Sequence, residues 1–177
     1  MKTEFFINNR RKFAEKMQDY SAAVFFSGKA PRESADQKYS FSVDRNFFYL
    51  TGIDREDMVL VISKTGGRTE ETLYIPPVDE HFEKWYGILM RKEEALEASG
   101  IKTLENRNDF LSKFSGRLSS VDRPDNVYIF SYITDADEPY DCYRSLAHWM
   151  RAQYPAVNIK NSLDIMIELR SSKSEEE

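Results

Sequence analysis

Three short runs without a polar face constrain this chain more than any other feature: Ala22-Ala23-Val24-Phe25-Phe26, Met58-Val59-Leu60-Val61-Ile62 and Val127-Tyr128-Ile129-Phe130. Successive side chains of a strand point to opposite faces, so a strand that is apolar at every position needs cover on both. Amphipathic, helix-period segments alternate with these runs. The expectation is an α/β domain with a mixed sheet and helices on both sides.

The first helix is predicted from Phe6, Phe13, Met17 and Tyr20 on one stripe, with Arg10, Arg11, Lys12, Glu15 and Lys16 on the remaining surface and Asn8 or Asn9 as its cap. Asn46-Phe47-Phe48-Tyr49-Leu50 follows a polar loop and halts at Gly52, which predicts a buried strand. Lys64-Thr65-Gly66-Gly67-Arg68 separates Met58–Ile62 from Thr72–Ile75, and paired glycines supply the positive φ of a hairpin turn. Pro76-Pro77 ends the second of these strands. A helix over residues 91–99 stops at Gly100, and Ile101–Leu104 reads as a short strand. Phe110, Leu111, Phe114, Leu118 and Val121 mark a further helix. Asp137-Glu138-Pro139 opens the next, with Tyr143, Ala147, Met150 and Tyr154 as its stripe, and Asn161 or Ser162 caps the last, which carries Ile165 and Leu169. The charged stretch after Ser171 reads as a fraying tail.

The chain has 177 residues, enough for one domain with a sizeable core. Its formal charge of −5 is spread along the sequence, which argues against nucleic acid as a partner. The Met1-Lys2-Thr3-Glu4 start lacks an apolar signal region and no run approaches the ~18 apolar residues of a membrane span, so no membrane partner and a cytoplasmic location are expected. The single cysteine, Cys142, excludes an internal disulfide, and its place in a helix predicts a buried, inert thiol.

Catalytic patterns are missing from the sequence: no Gly-x-Ser-x-Gly elbow, no glycine-rich phosphate loop, no His-Glu-x-x-His pair. Cys142 and His148 are six residues apart and share no helical face. Asp79, Glu80, His81 and Glu83 combine carboxylates and an imidazole, yet acids there fit an exposed helix start that complements the helix dipole. No catalytic residue and no metal site are expected in this chain.

Three stretches carry a family resemblance in the right order. They are Ser34-Ala35-Asp36-Gln37-Lys38-Tyr39-Ser40-Phe41 running into Asn46-Phe47-Phe48-Tyr49-Leu50-Thr51-Gly52; Glu83-Lys84-Trp85-Tyr86-Gly87 after the Pro-Pro loop; and Leu169-Arg170-Ser171-Ser172-Lys173-Ser174-Glu175-Glu176. The chain resembles the N-terminal domain of the Xaa-Pro aminopeptidase and prolidase group, the creatinase-like metallopeptidases. The resemblance implies a three-layer α/β/α fold with a mixed sheet, similar to the ribonuclease H-like arrangement. It implies an N-terminal domain over residues 1–170 and, in 171–177, the start of a linker to a C-terminal pita-bread catalytic domain absent from this chain. That domain would hold two divalent metals, manganese being the expected ion. Peptides with proline at the second position, the chain's own catalytic domain and further copies in a homo-oligomer are the implied partners.

Trp85 matches the tryptophan of the family's Glu-x-Trp-x-Gly loop and Asp36 the acid of its Ser-Ala-Asp loop; both are implied to stand near the substrate cleft of the full enzyme. Ile88-Leu89-Met90 intervene before Arg91, where family members often carry arginines immediately after the glycine, so the resemblance carries no arginine role over to Arg91 directly; Tyr39 and Arg45 are assigned to packing and loop ordering. The parent is expected to be an enzyme and this chain alone inactive. Two alternatives keep the fold: a non-catalytic interaction module, as in the large subunit of the histone chaperone FACT, or the N-terminal domain of a creatinase or dipeptidase.

Overall fold

The computed structural model describes residues 2–35, 37–79, 81, 83–84, 87–132 and 141–171. Helix α1 (Thr3–Lys16) leads into β1 (Ser21–Phe26), then the short strands β2 (Arg32–Ser34) and β3 (Gln37–Lys38) and helix α2 (Arg45–Thr51). The hairpin β4 (Val59–Thr65) and β5 (Arg68–Ile75), helix α3 (Lys92–Ser99), β6 (Thr103–Asn106), a 3-10 turn (Arg107–Asp109) and α4 (Phe110–Leu118) follow. β7 (Asn126–Ile129), α5 (Cys142–Gln153), β8 (Asn158–Asn161) and α6 (Leu163–Ser171) complete the described chain.

The main sheet has the order β6-β5-β4-β1-β7-β8. β4 is antiparallel to both neighbours, while β1 pairs with β7, β7 with β8, and β5 with β6 in parallel. The apolar runs divide between two cores by strict alternation. Ala23 and Phe25 of β1, Leu60 and Ile62 of β4, and Leu73 and Ile75 of β5 pack on one face with Phe13 of α1, Leu50 of α2, Ala95 of α3 and Met166 of α6. Ala22, Val24, Phe26, Val59, Val61 and Tyr74 face the other, covered by Phe110, Phe114 and Leu118 of α4 and Leu146 and Met150 of α5. The expected three-layer α/β/α mixed sheet is observed. The hairpin turn is Gly66-Gly67 with φ of 58° and 74°, and Gly100 closes α3 in the left-handed region at φ 73°, as predicted.

Several expectations are corrected. The run 46–50 is helical. Asp44 caps it, its side chain accepting from Asn46 N and Phe47 N, and Gly52 at φ 72° ends it with its N–H on Phe48 O. Four consecutive apolar residues, Phe47 to Leu50, cannot separate helical from strand periodicity, so capping decides. Arg10 is buried rather than on the surface, and α1 starts at Thr3 with no side-chain cap; Asn9, buried in mid-helix, donates to Tyr49 O at 2.9 Å. Leu111, Val121 and Tyr20 are exposed, so the predicted stripes are narrower than their sequence pattern. β6 begins two residues later than read, and the parallel strand β8 carried no alternating signal at all. Asn161 does serve α6, its Oδ1 accepting from Leu163 N at 3.0 Å. The expected Asp137-Glu138-Pro139 helix start and the tail 172–177 lie outside the described residues; α5 begins at Cys142 under an Asp141 cap.

Candidate functional site

Because β5, β6, β7 and β8 all run with β1, their carboxyl ends lie along one edge of the sheet. The loop after β1, which carries β2, β3 and residues 39–44, leaves from that edge, as do the segment after β5, Arg107 after β6 and the loop after β7. Open α/β sheets gather ligand-facing groups at this edge because the connecting loops there are free of core packing. The two loops singled out by sequence therefore share it. Asp36 and Trp85 themselves lie outside the described residues.

Ser27, buried just past β1, organises the edge. Its N–H donates to Met58 O at 3.0 Å, its Oγ accepts from Met58 N at 2.8 Å, and its carbonyl accepts from Asp44 N at 2.9 Å. One residue thus joins the loops on either side of α2. Asp57 adopts φ of 61°, unusual for a residue with a side chain, and donates its N–H to Gly28 O at 2.9 Å. Its carboxylate stands 3.1 Å from both Lys29 Nζ and Arg107 Nε, and the Arg107 guanidinium lies 5.5 Å from the centre of the Phe110 ring. This ion-paired turn ties the exits of β1 and β6 to the entrance of β4. Tyr143 Oη, buried, accepts from Phe26 N at 3.1 Å, and burial pushes its hydroxyl well above the ordinary tyrosine range.

The β2–β3 hairpin is held against the body by Glu56, which accepts from Ala30 N at 3.0 Å and pairs with Lys38 at 3.4 Å. Ala35 turns the hairpin at φ 49°. Tyr39 is 57% exposed and Arg45 is exposed, so neither packs as the sequence reading assigned. Glu83 is engaged by Arg91, Oε1 to Nη1 at 2.7 Å and Oε2 to Nη2 at 3.0 Å, and accepts from Leu89 N at 2.8 Å. Arg91, followed by these donors, holds the Glu83 carboxyl below the usual carboxylate range. That gives Arg91 a structural task, closing the segment 83–91 before α3.

Asp79 Oδ1 accepts from His81 N at 2.9 Å, a local turn, and no cluster of three or more potential metal ligands occurs among the described residues. Cys142 corrects the expectation of burial: it is exposed in the first turn of α5, where desolvation, then Asp141, raises the thiol above its ordinary range and keeps it protonated. A groove of about 680 Å³ lies between α4 and strands β5 and β6. Two of its lining cations are ion-paired, Lys113 with Glu105 at 2.7 Å and Arg117 with Glu70 at 2.9 Å.

Sequence reasoning missed Ser27, Asp57, Arg107 and Glu56. Each is a single polar residue whose partners across this edge, from Asp44 for Ser27 to Arg107 for Asp57, lie 17 to 50 positions away, beyond any local pattern.

A mixed sheet between two helical layers, with its polar and aromatic loops gathered at the carboxyl edge, defines an α/β domain that presents loops there. The chain belongs to the aminopeptidase P N-terminal domain family, whose model matches residues 6–128. The Haemophilus influenzae Xaa-Pro aminopeptidase is 34% identical over 94 residues, 53% of this chain and 22% of that protein. A Bacillus anthracis structure described as aminopeptidase P is 34% identical and covers this whole chain with a TM-score of 0.95, but only 42% of its own length is matched. Zinc-substituted Escherichia coli aminopeptidase P in complex with product shares the fold at 22% identity and a TM-score of 0.82, with 40% of it matched. The chain therefore spans well under half of the proteins it resembles.

Proposed function

We propose that this chain acts as the N-terminal domain of a metal-dependent Xaa-Pro aminopeptidase, shaping substrate access to a C-terminal catalytic domain that the linker at 171–177 would introduce. The observation that carries the reading is the common edge: in a chain of this family, the 34–44 loop and the segment 79–91 leave the same side of the sheet, where both can face one cleft. Asp36 and Trp85 are the residues proposed to line the approach to it. The substrates would be peptides with proline second, whose tertiary amide and fixed φ exclude the extended binding that most peptidases use. Two divalent metals, manganese in this proposal, would polarise the scissile carbonyl and supply the nucleophilic water in the catalytic domain. The zinc-substituted relative supports metal dependence. A cytoplasmic homo-oligomer is the proposed setting.

Hydrolysis of an Xaa-Pro dipeptide and an Xaa-Pro-Xaa tripeptide with manganese, by this chain and by the protein carrying the catalytic domain, tests the reading. Turnover by the longer protein alone supports it, and the preferred substrate separates aminopeptidase from dipeptidase. Silence from both, across several metals, overturns it in favour of a binding module.

A further inference from the structure

The first and last of the resemblance-bearing stretches, more than a hundred residues apart in sequence, touch through two side-chain hydrogen bonds. Arg170 in the last turn of α6 donates from Nη1 to Asn46 Oδ1 at 2.8 Å, and Tyr49 Oη donates to Leu169 O at 3.0 Å. Asn46 is 3% and Tyr49 9% exposed, and the Tyr49 ring meets Phe5 edge-on at 5.9 Å, so both partners are held in place. Lys16 Nζ contacts Glu168 at 2.7 Å and Met166 is buried beneath, which anchors the same helix to α1.

The contact continues toward the candidate site through two hydrogen bonds donated by backbone N–H groups. Asn46 N donates to Asp44 Oδ1, Asp44 N donates to Ser27 O, and Ser27 is the residue that joins the loops flanking α2. The end of α6 is thereby tied to the base of the 34–44 loop. Two directional contacts, one to a charged donor, define the orientation of a helix terminus where apolar packing alone would leave it free to pivot.

We infer that Arg170 is a positioning residue: clamped by Asn46 beside the Tyr49–Leu169 contact, it fixes the direction in which the polypeptide leaves α6 relative to the 34–44 loop, and so sets where that loop stands over the substrate. This rests on the proposed aminopeptidase reading, under which a catalytic domain follows α6. Misplacing a substrate-facing loop by a small distance affects longer substrates, which reach it, more than the bond being cleaved.

The test uses the full-length protein, with one label on exposed Cys142 and another on the catalytic domain to read their separation. Arg170→Ala is expected to broaden that distance distribution and to raise KM for an Xaa-Pro-Xaa tripeptide roughly tenfold, with kcat on the Xaa-Pro dipeptide and metal content retained. Arg170→Lys, which keeps a donor, restores part of both effects. Tyr49→Phe deletes one hydroxyl from the clamp and gives the same pattern should Arg170→Ala fail to fold. Unchanged distances and kinetics in these variants, or kcat lost on both substrates together with the metal, overturn the inference. Should the wild-type protein cleave neither peptide, the functional reading fails and the distance distribution alone decides the clamp.

Discussion

Arg10 donates from Nη1 to the carbonyl oxygen of Leu50 at 2.7 Å with its side chain only 1% exposed. Its Nη2 donates to Ser99 O at 2.9 Å and its Nε to Glu71 Oε2 at 2.9 Å. A guanidinium from α1 therefore satisfies terminal carbonyls of both α2 and α3, groups that have no partner within their own helices. Burial lowers the Arg10 pKa, opposed by the Glu71 carboxylate.

Replacing Arg10 with methionine keeps much of its volume and leaves two buried carbonyls and a carboxylate without their donor. The expected loss is about 3 kcal/mol in urea unfolding. Arg10→Lys also loses stability, since one ammonium cannot reach three acceptors in a fixed fork.

Gly52 tests the α2 terminus. Its φ is 72°, and a Cβ there would overlap the Phe6 ring, itself buried. Gly52→Ala is expected to cost about 3 kcal/mol, strain and repacking combined. Gly66→Ala has φ of 58° but open space around the added carbon, so about 1 kcal/mol is expected. Equal shifts in the two unfolding midpoints would contradict the Phe6 contact.

Asp44 and Glu83 are expected to respond to pH with opposite signs. Burial raises the Asp44 pKa despite the Phe47 and Asn46 N–H groups, so the folded state holds its proton more tightly than the unfolded one. Its contribution is fully present below the unfolded carboxylate pKa and is lost as pH climbs through the folded value. Asp44→Asn keeps the cap and removes that decline, whereas Asp44→Ala costs about 1–2 kcal/mol. Arg91 lowers the Glu83 pKa, so that contribution is present above the unfolded value and disappears as pH falls through the folded one. Unfolding midpoints at about pH 4 and about pH 7 for Asp44→Asn and Glu83→Gln check both signs.

Trp85→Ala in the full-length protein is expected to lower activity mainly on substrates that extend beyond the proline. The measurement is kcat/KM on a dipeptide and on longer peptides. Equal values at every length for variant and wild type would remove Trp85 from the proposed cleft.

The sequence by itself determined the layered architecture. Ala22 to Phe26 cannot sit on a one-faced sheet, and in the structure Ala23 and Phe25 enter one core while Ala22, Val24 and Phe26 enter the other. Gly66-Gly67 and Gly100 were legible for the same reason: positive φ is a local demand that a single residue type meets. The loops of the candidate site were legible as motifs, without their spatial relation. Tertiary structure alone decided that residues 45–51 form a helix, that a charged Arg10 lies inside, and that Asn46 meets Arg170. Arg10 reads as a surface residue because burying a guanidinium is unfavourable until acceptors from distant segments surround it. Those acceptors, Leu50, Glu71 and Ser99, lie 40 to 89 positions away, where local pattern carries no information and only the completed fold brings them within reach.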